Sequence, residues 1–418
     1  MRSIFYPSSI VVIGVSEKPD NLARNIVGNL RAFGYAGAIY AVGREPGQVH
    51  GVPIVSSLDE VPDHIELAVI LTPARLVPGM METCARKGTR RVVIESGGFS
   101  EFSAGGRELE QRLVEIAAQY DMRFVGPNCI SVVNLESGVC LPFAQLESAD
   151  LRLGPASVIS QSGGVSVTYL TRLSAGGVGV NKGVSIGNKT NLDEGDYLEY
   201  LLADEGTRMV FMYLESISDG RRLVELARSS PKPVVVQKAN RGPAARAVAL
   251  SHTAALADDD RVVDGALRQA GILRAESFRE AVAIGQALAL PPVTGGDLII
   301  ISRSGGHAVI AADLAERLGF HLMALPQDFV DAVRSMFRAD VIAPTNPLDL
   351  GVIFDFNLYA DIVARCLEVL SPHAVLLINT YGETEAESAH RLAGRVKEIM
   401  HSTGRPVAIC AYSRADDR

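Results

Sequence analysis

The chain has 418 residues, of which 47% are apolar and 21% charged, an ordinary globular usage that excludes intrinsic disorder. A formal net charge of −8 gives no general attraction to nucleic acid or anionic lipid. The absence of Trp and only 6% aromatic residues argue against stacking platforms for bases or sugars.

Short β-rich runs alternate with amphipathic helical patterns, which implies α/β architecture with parallel sheets and crossover helices. The first cycle places strands over residues 10–13, 38–42, 67–71, 91–94 and 122–125, with helices over 22–33, 75–87 and 107–120. Gly34, just past the first helix, suits the C′ position because glycine takes a left-handed conformation freely. This cycle closes a first doubly wound domain, 1–145. A second, 146–290, has strands over 156–160, 183–186, 209–214 and 233–237, a helix from 165, and helices near 193–202 and 261–270. The stretch LPPVTGG at 290–296 reads as a linker. A third domain, 297–418, runs from a strand over 298–302 through 374–379 to 406–411. The chain stops directly after that strand, so the third domain reads as curtailed.

No stretch approaches the ~18 apolar residues needed to span a bilayer, and the N-terminal apolar run breaks at Gly14, too early for a secretion signal. Cys84, Cys129, Cys140, Cys366 and Cys410 form no C-x-x-C pair. Zinc ribbons and disulfide scaffolds are therefore excluded, no metal site is expected, and all five read as buried small hydrophobes. A reducing cytoplasm is the simplest compartment.

One internal repeat stands out. Ser160-Gln161-Ser162-Gly163-Gly164 follows the strand ASVIS, and Ser302-Arg303-Ser304-Gly305-Gly306 follows the strand LIIIS. Both lead straight into a helix. Such a turn exposes unpaired backbone N–H groups and the positive end of the helix dipole, while glycine leaves room for an anion and serine adds a hydroxyl. Beyond the carboxyl ends of parallel strands this is a phosphate-binding device. A single copy is as well explained by tight helix–strand packing. Two copies opening two adjacent domains favour one phosphate held by two helix ends, each worth ~0.3–1 kcal/mol when exposed.

The loop after the first strand, Gly14-Val15-Ser16, lacks the further glycines of the dinucleotide fingerprint, and Val42-Gly43-Arg44 offers no carboxylate for a ribose. A nicotinamide oxidoreductase is thus disfavoured. Lys18 and Arg44 are cations that either meet a phosphate-bearing nucleotide or sit on solvated surface. Segment 238–260 interrupts the second domain with small residues around Ser251-His252-Thr253. The other histidines (His50, His64, His307, His321, His373, His390, His401) sit in ordinary helical or loop contexts. Imidazole accepts a phosphoryl group reversibly near neutral pH when a carboxylate holds its other N–H. Glu215, directly after the strand over 209–214 and on the same sheet edge as Gly163, is the candidate carboxylate.

At these residues the sequence resembles the NDP-forming acyl-CoA synthetases, in particular ADP-forming acetyl-CoA synthetase alpha subunits and, more distantly, succinyl-CoA synthetase. The resemblance runs from about residue 3 to 412 on IVVIGVSEKP, LAVILTPA, ESGGFSE, VGPNC, ISQSGG, VSIGNK, YLES, SHTAALA and TNPLDL, in that order. It implies a Rossmann-like CoA-binding domain followed by two flavodoxin-like ligase domains. The implied reaction is acyl-CoA + NDP + phosphate ⇌ carboxylic acid + NTP + CoA, through an acyl phosphate and a phosphohistidine. By matched motif, His252 is the phosphohistidine and Glu215 its orienting carboxylate. Ser162, Gly163, Gly164, Ser304, Gly305 and Gly306 face the phosphate, and Gly14, Val15, Ser16, Thr72, Pro73, Ala74, Ser96 and Asn128 fall on CoA-binding loops. The chain departs from the family pattern at Ala254 (usually Gly), at His307-Ala308 (usually Pro-Gly) and at Gly43-Arg44 (often Asn-Pro).

Nothing in the sequence resembles the family's ATP-grasp domain. The implied partner is an ATP-grasp beta subunit, which would bind ATP or ADP and magnesium, in a homo- or hetero-oligomer that acts on a small acyl substrate. The competing expectation is a non-catalytic CoA-binding regulatory protein of the same fold.

Overall fold

A computed structural model describes residues 1–242, 259–336, 345–351 and 353–413. The chain divides into two units, Met1–Gln286 and Ala287–Arg418.

The first unit holds two seven-stranded sheets. The first sheet contains β1 (Ser9–Ile13), β2 (Ala38–Val42), β3 (Gly47–Val49), β4 (Val52–Val55), β5 (Leu67–Ile70), β6 (Arg91–Ile94) and β7 (Arg123–Val125), in the order β3-β4-β2-β1-β5-β6-β7. Only the short edge strand β3 runs antiparallel to its neighbour. The second sheet contains β8 (Val132–Asn134), β9 (Val139–Cys140), β10 (Leu153–Ser160), β11 (Val180–Ser185), β12 (Met209–Leu214), β13 (Val234–Lys238) and β14 (Leu273–Arg274), in the order β14-β13-β12-β10-β11-β8-β9. Strands β8 and β9 form an antiparallel edge that the sequence pattern does not predict. They follow the first sheet in sequence and yet pair with the second.

The helices of this unit are α1 (Arg2–Phe5), α2 (Leu22–Ala32), α3 (Val77–Arg86), α4 (Ala104–Tyr120), α5 (Gly163–Ala175), α6 (Glu194–Ala203), α7 (Gly220–Arg228) and α8 (Asp260–Gln269); α9 spans Phe278–Leu288. Asn21 caps α2 by accepting from the Arg24 N–H at 2.9 Å, and α2 ends on Gly34 at φ +75°, as its sequence predicts. Helix α5 starts at Gly163, not near residue 165. Glycine is a poor helix former, but a first turn whose N–H groups have no intrahelical partner costs it little there.

Strands β1, β5 and β6 are apolar on both faces because helices cover both sides. A single apolar cluster runs from the first sheet into the second, including Ile10, Val12, Val132, Val184 and Met212. Phe5 of α1 is fully buried and stacks on Tyr200 of α6 at 5.1 Å. Lys182 of β11 fastens the same region. Its side chain is fully buried, with Nζ 2.8 Å from Asp204 Oδ2, 3.3 Å from Glu136 Oε2 and over the Tyr6 ring. Burial alone would lower its pKa, but Asp204 and Tyr6 outweigh this and hold it above its ordinary value. The stabilisation is therefore complete at neutral pH and lost only as pH rises beyond 10.5. Replacing Lys182 by Met strands two partly buried carboxylates and should cost about 3–5 kcal/mol, read as a lower urea midpoint; a loss below about 1 kcal/mol would contradict this role.

The second unit holds a five-stranded sheet of β15 (Asp297–Ser302), β16 (His321–Leu322), β17 (Leu348–Asp349), β18 (Ala374–Thr380) and β19 (Val407–Tyr412). Every pairing in it is parallel. Its helices are α10 (Gly305–Arg317), α11 (Gln327–Ser335), α12 (Phe356–Val369) and α13 (Ala386–Thr403), and its core centres on Ile299, Ile301, Tyr359 and Val363. Among the described residues, no helix is long and apolar enough to cross a membrane. Four cysteines are buried as expected, but Cys410 is exposed, because β19 is an edge strand.

Candidate functional site

The carboxyl ends of the two sheets of the first unit enclose a cleft of about 500 Å³. Ser162, Gly163, Gly164, Glu215 and Asn128, five of the residues singled out from the sequence, line it together. Ser160 Oγ donates to the Ser162 carbonyl at 2.6 Å, which turns the chain sharply from β10 into α5. Ser162 is the N-cap, yet its hydroxyl caps nothing, so the first N–H groups of α5 keep their donor capacity towards the cleft. The two glycines are needed for different reasons. A Cβ on Gly163 would lie 2.3 Å from Ile130 Cγ1, whereas one on Gly164 would meet nothing within 4 Å. Gly163 is a packing glycine, and Gly164 borders open space.

Glu215 leaves β12 with its backbone fixed from three sides. Gln161 Oε1 accepts from the N–H groups of Glu215 and Ser216 at 2.9 and 3.1 Å, while Lys238 Nζ and Asn240 Nδ2 donate to the Glu215 carbonyl at 2.8 and 3.1 Å. Lys238 and Asn240 stand at the root of segment 243–258. His252 and Ala254 belong to that segment and lie outside the described residues. Arg241, on the near side of it, pairs with Asp260 on the far side at 3.1 Å.

Several site residues carry no motif by themselves. Lys189 Nζ, 3.0 Å from the buried Glu194 carboxylate and 2.9 Å from the Ser216 carbonyl, ties the 187–190 loop to the loop that carries Glu215. Asn188 donates to Glu101 Oε2 at 2.7 Å and to Glu110 Oε2 at 3.1 Å, and accepts from Asn128 Nδ2 at 3.3 Å. These bonds join the first sheet's loops to the second sheet across the cleft. Only the resemblance to VSIGNK and ESGGFSE marked these stretches; their partners are set by tertiary structure.

The remaining first-sheet candidates lie on neighbouring loops. Gly14 has φ +105°, and a Cβ there would fall 2.1 Å from the Leu71 carbonyl oxygen, so only glycine fits. The N–H groups of Gly14 and Val15 donate to the Val42 carbonyl at 2.9 and 3.0 Å, and that of Ser16 to Asn21 Oδ1 at 3.2 Å. The Val15 side chain is buried in the core. Ser96 Oγ accepts from the Thr72 N–H at 3.0 Å, and the Ser96 carbonyl from the Asn128 N–H at 3.0 Å, while Pro73 and Ala74 begin a short 3₁₀ turn. Lys18 and Arg44 are exposed on the loops after β1 and β2.

The second unit repeats the turn. Ser302 Oγ donates to the Ser304 carbonyl at 2.8 Å, Ser304 caps α10 without a side-chain bond, and Gly306 borders open space. Here, however, a Cβ on Gly305 would lie 2.7 Å from Asp349 Oδ2. His307 is held by Ser304 Oγ at 2.8 Å and packs on the Tyr412 ring. Among the described residues no group of three or more His, Cys, Asp or Glu is placed to hold a metal ion.

The family described as "CoA binding domain" matches residues 8–134, and that described as "Succinyl-CoA ligase like flavodoxin domain" matches 153–288. The alpha subunit of acetate–CoA ligase [ADP-forming] I from Pyrococcus furiosus is 35% identical over 416 residues, covering 97% of this chain and 88% of that one. The 4-hydroxybutyrate–CoA ligase [ADP-forming] of Nitrosopumilus maritimus is 32% identical over 87% of this chain, which spans about half (52%) of that protein. Among solved structures, the dinucleotide forming acetyl-coenzyme A synthetase 1 of Ca. Korarchaeum cryptofilum, in complex with phosphate and ADP, superposes with a TM-score of 0.88 at 27% identity, covering 98% of this chain and 88% of that one.

Proposed function

Because the chain belongs to the family of the ADP-forming acetyl-CoA synthetases, we propose that it is the CoA-ligase subunit of an enzyme that interconverts acyl-CoA, phosphate and NDP with carboxylic acid, CoA and NTP. The observation that carries this reading is the uncapped N-terminus of α5 opening into the same cleft as Glu215, beside a CoA-binding-type sheet. Phosphate held at Gly163 and Gly164 attacks the thioester carbonyl and expels the CoA thiolate. A nitrogen of neutral His252 then takes the phosphoryl group from the acyl phosphate and releases the carboxylate. Glu215 holds the opposite ring N–H and favours the imidazolium that forms. Gly14–Ser16, Thr72–Ala74, Ser96 and Asn128 serve CoA. With the N–H groups of residues 14–16 already spent within the protein, their contribution is shape, and the exposed cations Lys18 and Arg44 are better placed to meet CoA phosphates. The Ser304-Gly305-Gly306 turn is a second candidate of the same kind within its own unit.

The relatives named as alpha subunits support a partner subunit for this chain. An ATP-grasp protein is the partner whose chemistry fits, since it supplies the ADP and magnesium site. The test is to incubate the protein with acetyl-CoA, or a longer acyl-CoA, and radiolabelled phosphate, and look for acid-labile, base-stable label. A regulatory CoA-binding protein would bind CoA in calorimetry and take no label. Glu215→Gln should slow labelling by about 10²-fold or more in rapid-quench measurements, while CoA affinity stays within twofold; unchanged labelling would remove Glu215 from the mechanism.

A further inference from the structure

Glu95 directly follows β6 and lines the cleft together with Gly97 and Cys129. It is 3% exposed, and among the described residues neither carboxyl oxygen has a hydrogen-bond partner. The Ser131 hydroxyl and the Phe143 N–H face it and partly offset its burial, but neither reaches hydrogen-bond geometry, and Ser131 Oγ has no partner of its own among the described residues. Among the described residues, its charge is felt by the buried thiols of Cys129 and Cys140. Burial therefore pushes its pKa well above the ordinary carboxylate range and favours the protonated form, which can donate as well as accept a hydrogen bond. An unpaired buried polar group is among the costlier features a fold can carry. Thr72 Oγ1, on the adjoining strand end, also has no partner among the described residues. Leu22, Leu71, Ile130 and Phe143 form the apolar part of the cleft walls, which polar residues such as Asn128, Gln161 and Asn188 share.

We propose that Glu95 is a specificity-determining residue whose carboxyl hydrogen-bonds a polar substituent, such as a hydroxyl, on the acyl group of the substrate. The inference rests on the acyl-CoA ligase reading above. The apolar walls take the body of the acyl chain, and the substituent completes the bonds that the protein leaves open. An acyl group without a substituent leaves Glu95 unpaired. Sites built to hydrogen-bond a substrate group discriminate far more strongly than apolar pockets do.

The test is calorimetry of the full chain with CoA, butyryl-CoA and the 2-, 3- and 4-hydroxybutyryl-CoA isomers. In the wild type at least one hydroxy isomer should bind about 10-fold or more tightly than butyryl-CoA. In Glu95→Leu that preference should fall to within twofold, with unchanged affinity for CoA and a melting temperature at or above the wild type's. Glu95→Gln keeps the shape and alters the donor arrangement, and should change the preference at least threefold. Equal binding of all four thioesters by the wild type would overturn the proposal, as would a preference that survives in either variant. A lower melting temperature of Glu95→Leu would mark the residue as structural and also overturn it. Failure of the wild type to bind CoA at all would defeat the ligase reading and this one with it. CoA binding without discrimination defeats this one alone.

Discussion

A His252→Ala variant incubated with acyl-CoA and labelled phosphate should retain no acid-labile phosphoryl group. Its turnover with an ATP-grasp partner and ADP should fall by about 10³-fold or more. The first reason for so large a loss is chemical. The phosphoryl group has to leave a reactive acyl phosphate and reach a nucleotide, and imidazole is the side chain that accepts it near neutral pH and gives it up again. The second reason is structural. Glu215 is fastened through its backbone by Gln161, Lys238 and Asn240, which holds the proposed orienting residue at the carboxyl end of β12. Exchange of label between phosphate and acyl phosphate should survive in the variant, because that step precedes the histidine. If His252→Ala still carries label, the acceptor is another residue, with His307 the first to examine.

The second large effect is expected from Gly164→Asp, in which stability and activity should move in opposite directions. A side chain at this position enters open space, and a carboxylate in the first turn of a helix is favoured by about 0.3–1 kcal/mol. The variant should therefore melt at or slightly above the wild-type temperature. The new carboxylate also occupies the place where phosphate would sit and reverses the sign of the local field. Phosphate-dependent labelling should drop by about 10²-fold or more, close to the effect of removing a key oxyanion donor, while CoA binding is retained. Unimpaired labelling would show that α5 does not hold the anion. Gly163→Ala is an unsuitable probe, since its Cβ would press on Ile130 and confound packing with binding. In the second unit the fold has placed Asp349 beside Gly305, so the two serine–glycine turns are alike in sequence and backbone but unlike in charge.

The alternation of strands and helices and the repeated turn after β10 and β15 were legible because they depend on local pattern. Period and glycine placement declare themselves within a few residues. Placing β8 and β9 in the second sheet was not legible, since two- and three-residue strands carry no period and their register is set by β11. Asn188 and Lys189 were visible as a motif, but not their bonds to Glu101, Glu110 and Glu194, whose partners stand far away in the chain. Glu95 stands in the sequence only as the first residue of the ESGGFSE stretch, with nothing to set it apart. A glutamate after an apolar strand looks like a solvated strand end, and only the packing around it reveals a buried carboxyl with no hydrogen-bond partner among the described residues.

The Arg241–Asp260 pair sets a radius. Whatever course the intervening segment takes, His252 is eight residues from Asp260 in sequence, and a fully extended chain gains at most about 3.3–3.6 Å per residue. The imidazole is thus tethered within roughly 30 Å of the start of α8. A partner's nucleotide site lying outside that sphere would be out of range for direct transfer, and an assembly could be accepted or rejected on that distance alone.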